Sequence, residues 1–281
     1  MTTTTADPAA AVAATRPEPS GLRQWWVLTV RSIVPMLRNG ELVTAIAASV
    51  IVTAGFYVPL NKFMGGVISA VPNPMSSYAQ FLTPLIVLQG ISFASIMGAF
   101  RSATDTSKGI TRRFGSMPVA PLVPLAARLT GSVYRCVIGL VISLICGYVI
   151  GFRFHRALPF VLAFCLLVLL IGVTLSLLGD LIGIAAKKPE ATTPLLMGPQ
   201  LILGLLSVGV QPAEQFPDWI QPIVRNQPIS QFVIALRALA GDSTPGAGAA
   251  TWQLMWPTFA WIAGLLAVLV PTSLVVTARR P

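Results

Sequence analysis

The chain has 281 residues, of which 54% are hydrophobic and only 10% charged, with a mean hydropathy of +0.77. Soluble domains carry roughly 25% charged residues, so this composition excludes a soluble globular enzyme. The net charge of +10 does not point to nucleic acid, because the basic residues are spread between apolar stretches instead of forming one basic domain.

Residues 1–20 are rich in Thr, Ala and Pro and lack the apolar core of a cleavable signal peptide. They predict a disordered cytoplasmic tail. Residues 21–40 predict an amphipathic interface helix. At about 100° per residue, Arg23, Arg31 and Arg38 fall within an arc of roughly 80° and Trp26, Val30, Ile33 and Leu37 cluster beside one another. Such a helix lies on the bilayer with tryptophan at headgroup depth and arginine toward lipid phosphate, either as an anchor or as part of a gate.

Six apolar stretches follow, at 42–60, 79–100, 132–150, 159–181, 194–210 and 257–278. Each offers roughly the 17–25 residues that a helix needs to cross a bilayer. The fold class is therefore all-α: a polytopic membrane protein with six transmembrane helices. With both termini cytoplasmic, the outer segments hold only Lys62, Arg153, Arg156, Arg225 and Arg237, and the remaining basic residues lie inside. The reverse orientation would invert that bias.

The 101–118 loop between the second and third stretches carries Arg101, Asp105, Lys108, Arg112, Arg113 and Phe114. Opposite charges, capping Ser/Thr residues and an aromatic side chain predict a short amphipathic docking helix, against the alternative of a solvated positive loop. Between the fifth and sixth stretches, residues 211–256 form the long extracytoplasmic segment, which prolines break into pieces. Ser230 is placed to cap a helix that Gly241 can end, giving re-entrant or interfacial helices on the outer face.

Chemistry is absent from the motifs. There is no Gly-x-x-x-x-Gly-Lys-Ser/Thr phosphate loop, no His-Glu-x-x-His zinc motif and no Gly-x-Ser-x-Gly elbow. The spans are nearly free of carboxylates, so an ion-coupled carrier has few coupling groups. Asp180 reads as a solvated acid at the membrane edge or as a partner for a nearby cation. Cys136, Cys146 and Cys165 lie in or beside spans and read as packing residues, with no metal site. Gln89, Ser92, Ser95, Thr174 and Gln200 either line a pathway or hydrogen-bond between helices. The outer Arg153, His155 and Arg156 either receive anionic groups or snorkel.

The segments Phe216-Pro217-Asp218-Trp219-Ile220-Gln221-Pro222, Asn226-Gln227-Pro228-Ile229-Ser230 and Arg237-Ala-Leu-Ala-Gly241-Asp242 resemble an ABC-2 type export permease. More narrowly, Phe100-Arg101-x-Ala-Thr-Asp105, Arg112-Arg113-Phe114-x-Ser116-Met117-Pro118, Cys146-Gly-Tyr-Val-Ile-Gly-Phe-Arg-Phe-His155-Arg156 and Ala278-Arg-Arg-Pro281 resemble the actinobacterial daunorubicin/doxorubicin-resistance permeases of the DrrB type. The likeness runs from about Trp25 to the C-terminus.

The resemblance implies a non-catalytic subunit with no cofactor of its own. ATP and Mg would be bound by a separate DrrA-like ATP-binding subunit, and the permease would pair with a DrrC-like second permease or with itself. The family exports amphipathic molecules, among them anthracycline drugs and phthiocerol dimycocerosate lipids. It also implies that Arg101, Asp105, Lys108, Arg112, Arg113 and Phe114 couple to the ATPase, with Trp25, Trp26 and Arg31 in lateral contact. The rival readings are a stand-alone secondary carrier and a polytopic lipid-modifying enzyme.

Overall fold

The computed structural model describes residues 20–38, 40–69, 77–110, 123–186, 189–241 and 250–278, and every regular element among them is helical. The elements are α1 (Gly21–Arg38), α2 (Glu41–Ser69), α3 (Tyr78–Ser107), α4 (Val123–Ile150), α5 (Leu158–Ala185), α6 (Pro189–Leu205), a 3-10 turn (Ala213–Gln215), α7 (Gln221–Asn226), α8 (Pro228–Ala240) and α9 (Trp252–Ala278). In a bilayer each backbone N–H and C=O must find its partner within the segment, which makes helices the outcome for these runs.

Helix α3 is the central element. It packs against α2, α4, α5, α6 and α8, and Leu82, Leu85, Ile86, Val87 and Ile91 are fully enclosed. Ser77 opens it by accepting a hydrogen bond from the Gln80 N–H at 3.1 Å. By contrast α2 and α9 are largely exposed along their lengths, with Val43, Ile51, Val58, Val268 and Val275 pointing outward. Such faces carry no penalty against lipid tails, which are as apolar as they are.

Five helices are long and apolar enough to cross a membrane by length and composition: α2, α3, α4, α5 and α9. The stretch expected as a span at 194–210 is instead the 17-residue α6, which starts earlier, contains Pro194 and Pro199 and stops at Leu205. Residues 206–210 then turn. Five of the six expected spans are thus long apolar helices, and the remaining one corresponds to the shorter α6, whose end is joined to the start of α8 through Gln227.

Several boundaries move for local reasons. Helix α3 runs on to Ser107, so Arg101 and Asp105 sit on its last turns and not in a separate loop helix. In these turns the Thr104 and Thr106 hydroxyls donate to the carbonyls of Phe100 and Ser102. Helix α4 begins nine residues before the expected 132, which places Arg128 on the helix. Helix α8 starts at Pro228 with Gln227 as its N-cap; Ser230 is turned inward and does not cap it.

Glycine's conformational freedom is used at helix ends. Gly40 (φ +74) turns the chain between α1 and α2, and Gly241 (φ +84) closes α8 with its N–H on the Arg237 carbonyl.

Candidate functional site

The residues expected to couple to an ATPase fall at the Ser107 end of α3. Arg101 and Asp105 are half-buried there and Lys108 is exposed just beyond. Arg112, Arg113 and Phe114 lie outside the described residues. Helix α1 packs on α4, and the Trp25 Nε1–H donates to the Thr130 hydroxyl at 3.2 Å. Its inward positions are Thr29 and Met36, while Trp26, Val30 and Arg31 are exposed. An apolar stripe beginning at Trp26 therefore faces away from the protein, as a helix at a lipid surface requires.

A seam of small and polar side chains joins α3 to α5. Cβ atoms added at Gly179 would sit 3.1 Å from the Ser95 carbonyl, and one at Gly183 would collide with the Ala99 carbonyl. Hydrogen as the side chain lets the two backbones touch there. Along that contact the hydroxyls of Ser95 and Ser176 lie 3.1 Å apart, and the Ser102 hydroxyl donates to Asp180 Oδ1 at 2.6 Å. Asp180 is 5% exposed. The solvated acid favoured by its sequence position is thus a buried one, because the glycines on either side bring α3 over it. Arg128 and Arg135 of α4 lie within electrostatic reach of it.

Among the polar residues considered for a pathway, Gln200 of α6 donates from Nε2 to Gln89 Oε1 of α3 at 2.6 Å. Thr174 donates to the Leu170 carbonyl of its own helix at 2.9 Å, and Ser92 is half-buried. Four of the five residues, Gln89, Ser95, Thr174 and Gln200, therefore have hydrogen-bond partners within the helical bundle.

The break between α6 and α8 is the feature that sequence reasoning missed. Where α6 ends, its freed carbonyls at Leu203 and Leu206 accept from Gln227 Nε2, at 3.2 and 2.6 Å. Ser230 accepts the Val208 N–H at 3.1 Å. Arg237, assigned by sequence to an outer loop, is 5% exposed. Its Nε donates to the Phe81 carbonyl at 3.0 Å and Nη2 to the Val208 carbonyl at 2.9 Å, with the guanidinium 3.4 Å from the Phe81 ring centroid. One cation thus ties α8, the turn after α6 and central α3 together. The only sequence signal was a charge in the third turn of an otherwise apolar helix.

The cluster at the end of α4 is brought together, though each member has its own support. Gln80 clamps the Arg153 backbone, accepting its N–H at 3.1 Å and donating to its carbonyl at 2.8 Å. The Arg153 guanidinium lies over Tyr148 and that of Arg156 over Phe160. The His155 N–H donates to the Ala240 carbonyl at 3.1 Å, docking this loop on the end of α8. Among the described residues no group of three or more His, Cys, Asp or Glu side chains could hold a metal ion, and the three cysteines are free thiols.

The polar groups of this architecture pair helix with helix. Comparison with known proteins shows its family. The profile of the ABC-2 family transporter protein matches residues 36–275. The chain is 52% identical, over 92% of its length and 90% of the relative's, to the doxorubicin resistance ABC transporter permease protein DrrB of Mycobacterium tuberculosis. It is 28% identical to the daunorubicin resistance ABC transporter permease protein DrrB1 of Streptomyces coeruleorubidus, over 66% of this chain and 64% of that one. It is 26% identical to the probable doxorubicin resistance ABC transporter permease protein DrrC of M. tuberculosis, over 83% and 84%. With a profile match over most of its length and one relative aligned nearly end to end, this multi-pass membrane protein belongs to the ABC-2 transporter family.

Proposed function

We propose that the chain is the transmembrane permease subunit of an ATP-driven exporter that moves amphipathic molecules, anthracycline-type drugs or phthiocerol dimycocerosate-type lipids, out of the inner membrane. ATP and Mg are bound by a separate DrrA-like subunit. The permease pairs with a DrrC-like partner or with a second copy of itself. The observation that carries this reading is the alignment to a permease named for doxorubicin resistance along 90% of that protein. The interior supports it. A charge at mid-membrane costs several kcal/mol unless paired or hydrated, and the described spans hold almost none, which favours bulky apolar cargo over ions and sugars.

In this reading both termini and the Ser107 end of α3 are cytoplasmic. Arg101, Asp105, Lys108, Arg112, Arg113 and Phe114 dock on the ATPase, and α1, with Trp25, Trp26 and Arg31, flanks the contact. ATP-driven closure of the partner displaces the end of α3, and the packed helices pass between two arrangements of different affinity for cargo. The outer cluster of Arg153, His155 and Arg156 then braces the exit side, since its cations are already engaged by aromatic rings and carbonyls.

Affinity purification in mild detergent tests the assignment, with a P-loop ATPase expected to co-purify. Reversing Arg112 and Arg113 to Glu is expected to leave membrane level unchanged and to reduce ATPase association and export at least tenfold, because like charges facing at an interface cost several kcal/mol. Undiminished association and export in that variant would withdraw the coupling role. Transport in proteoliposomes by this chain alone would support a secondary carrier instead.

A further inference from the structure

The buried carboxylate on α5 is the group whose environment is incomplete. Ser102 satisfies Asp180 Oδ1, but Oδ2 is enclosed with no hydrogen-bond partner. Gly179 and Gly183 flank it and rest directly on the α3 backbone. Two guanidiniums of α4, those of Arg128 and Arg135, lie within electrostatic reach of it, and Asp105 of α3 adds its own negative field. Arg135 is held along α3, with Nη2 on the Ser132 hydroxyl at 3.2 Å and 3.1 Å from the position of a Cβ at Gly98. Arg128 lies seven residues, two turns, nearer the start of α4, and its Nε is also enclosed with no partner. An acceptor and a donor of opposite charge are thus left open on neighbouring helices.

We propose that Asp180 is a coupling residue: its second oxygen pairs with Arg128 in one arrangement of the α3–α4–α5 junction and is released in the other. This rests on the reading of the chain as a permease driven by a separate ATPase. The geometry supplies the link. Ser102, which holds Asp180, lies one residue from Arg101 and three from Asp105 on the last turns of α3, the end assigned to the ATPase. Moving that end along α5 draws the Ser102 hydroxyl away from Oδ1 and shifts Asp105 relative to Asp180. A buried carboxylate that loses its donor then draws in the nearest open cation. At Gly183 the α5 backbone lies directly against that of α3 at Ala99, and the Ser95–Ser176 and Ser102–Asp180 hydrogen bonds cross the same seam. Asp180 touches no cargo; it positions α4 against α5 according to where α3 stands.

The test uses the complex with its ATP-binding subunit. Asp180→Asn keeps the size of the side chain and an acceptor for Ser102, and Arg128→Gln removes the other charge. In proteoliposomes with doxorubicin as probe, each is expected to lower drug moved per ATP hydrolysed at least tenfold, with ATP hydrolysis and the thermal midpoint near wild type. The double variant should be no worse than either single one. Wild-type coupling in Arg128→Gln, or a double variant whose loss is the product of the two, would overturn the pairing. A lower thermal midpoint with drug per ATP unchanged would make Asp180 a packing residue only, which also overturns it.

A second readout does not depend on the cargo. Arg128→Cys with Asp180→Cys, in a background where Cys136, Cys146 and Cys165 are serine, should form a disulfide with a yield that differs severalfold between nucleotide-free and ATP-vanadate-trapped complexes. Equal yields would overturn the proposal. Failure of an ATPase to bind the wild-type chain would instead remove the permease reading, and the coupling role with it.

Discussion

At the residue scale, burial sorts the polar side chains differently from their sequence positions. Arg237 is the one charge in an apolar helix that the sequence places in the outer segment, yet it is enclosed and serves the carbonyls of Phe81 and Val208. Replacing it by Ala removes the donors to both carbonyls, at a cost of about 1–3 kcal/mol for a group left buried without a partner. Purified Arg237→Ala is expected to melt well below wild type, and Arg237→Lys to recover little, because an ammonium cannot reproduce the planar fork. A melting midpoint unchanged in Arg237→Ala would mean that the turn after α6 is held by other contacts. Asp180 makes the complementary point: five residues from the end of α5 it reads as a solvated acid, and only the approach of α3 makes it a buried one.

At the scale of elements, the contact between α3 and α5 depends on what is missing from α5. A Cβ at Gly183 would meet the Ala99 backbone carbonyl, which has no flexible side chain to yield. Gly183→Ala is therefore expected to push the helices apart and cost about 1–3 kcal/mol as an overpacked interface. Gly264 is the control, since a Cβ there meets nothing within 4 Å, and alanine at that position should leave stability unchanged. Equal melting of both variants would show that the close approach is not needed. The pairing of α6 with α8 follows a second rule: a helix that stops inside an apolar layer must have its last carbonyls capped. Gln227 and Arg237 supply the donors, while the earlier prolines Pro194 and Pro199 fall within α6.

For the whole molecule, charge asymmetry predicts the orientation of the multi-pass chain. Single cysteines near residues 10, 110 and 281, in the serine background, should resist a membrane-impermeant thiol reagent in intact cells, and one near residue 220, beside the exposed Trp219, should react. Labelling at 110 from outside would invert the layout and remove the docking role of the α3 end. The exposed α2 and α9 faces and the enclosed α3 fit a bundle whose core is one helix and whose rim meets lipid or another permease.

Membrane class and all-helical character were legible in the sequence because they are local sums: apolar length against bilayer thickness, and the obligation of each backbone group to bond within its own segment. The family, too, was carried by short strings in order, and the match across residues 36–275 agrees with them. Helix ends were less legible. Helix α3 continues to Ser107 through Arg101-Ser-Ala-Thr-Asp105-Thr-Ser, a polar run that composition alone reads as a loop. What only the tertiary structure decided are the partnerships of residues far apart in the chain: Ser102 with Asp180, Gln89 with Gln200, Arg237 with Phe81. Hydropathy treats such residues as isolated costs. Their actual energies are set by which donor, acceptor or glycine the packing of another helix brings within about 3 Å, and that information belongs to pairs of segments, never to one.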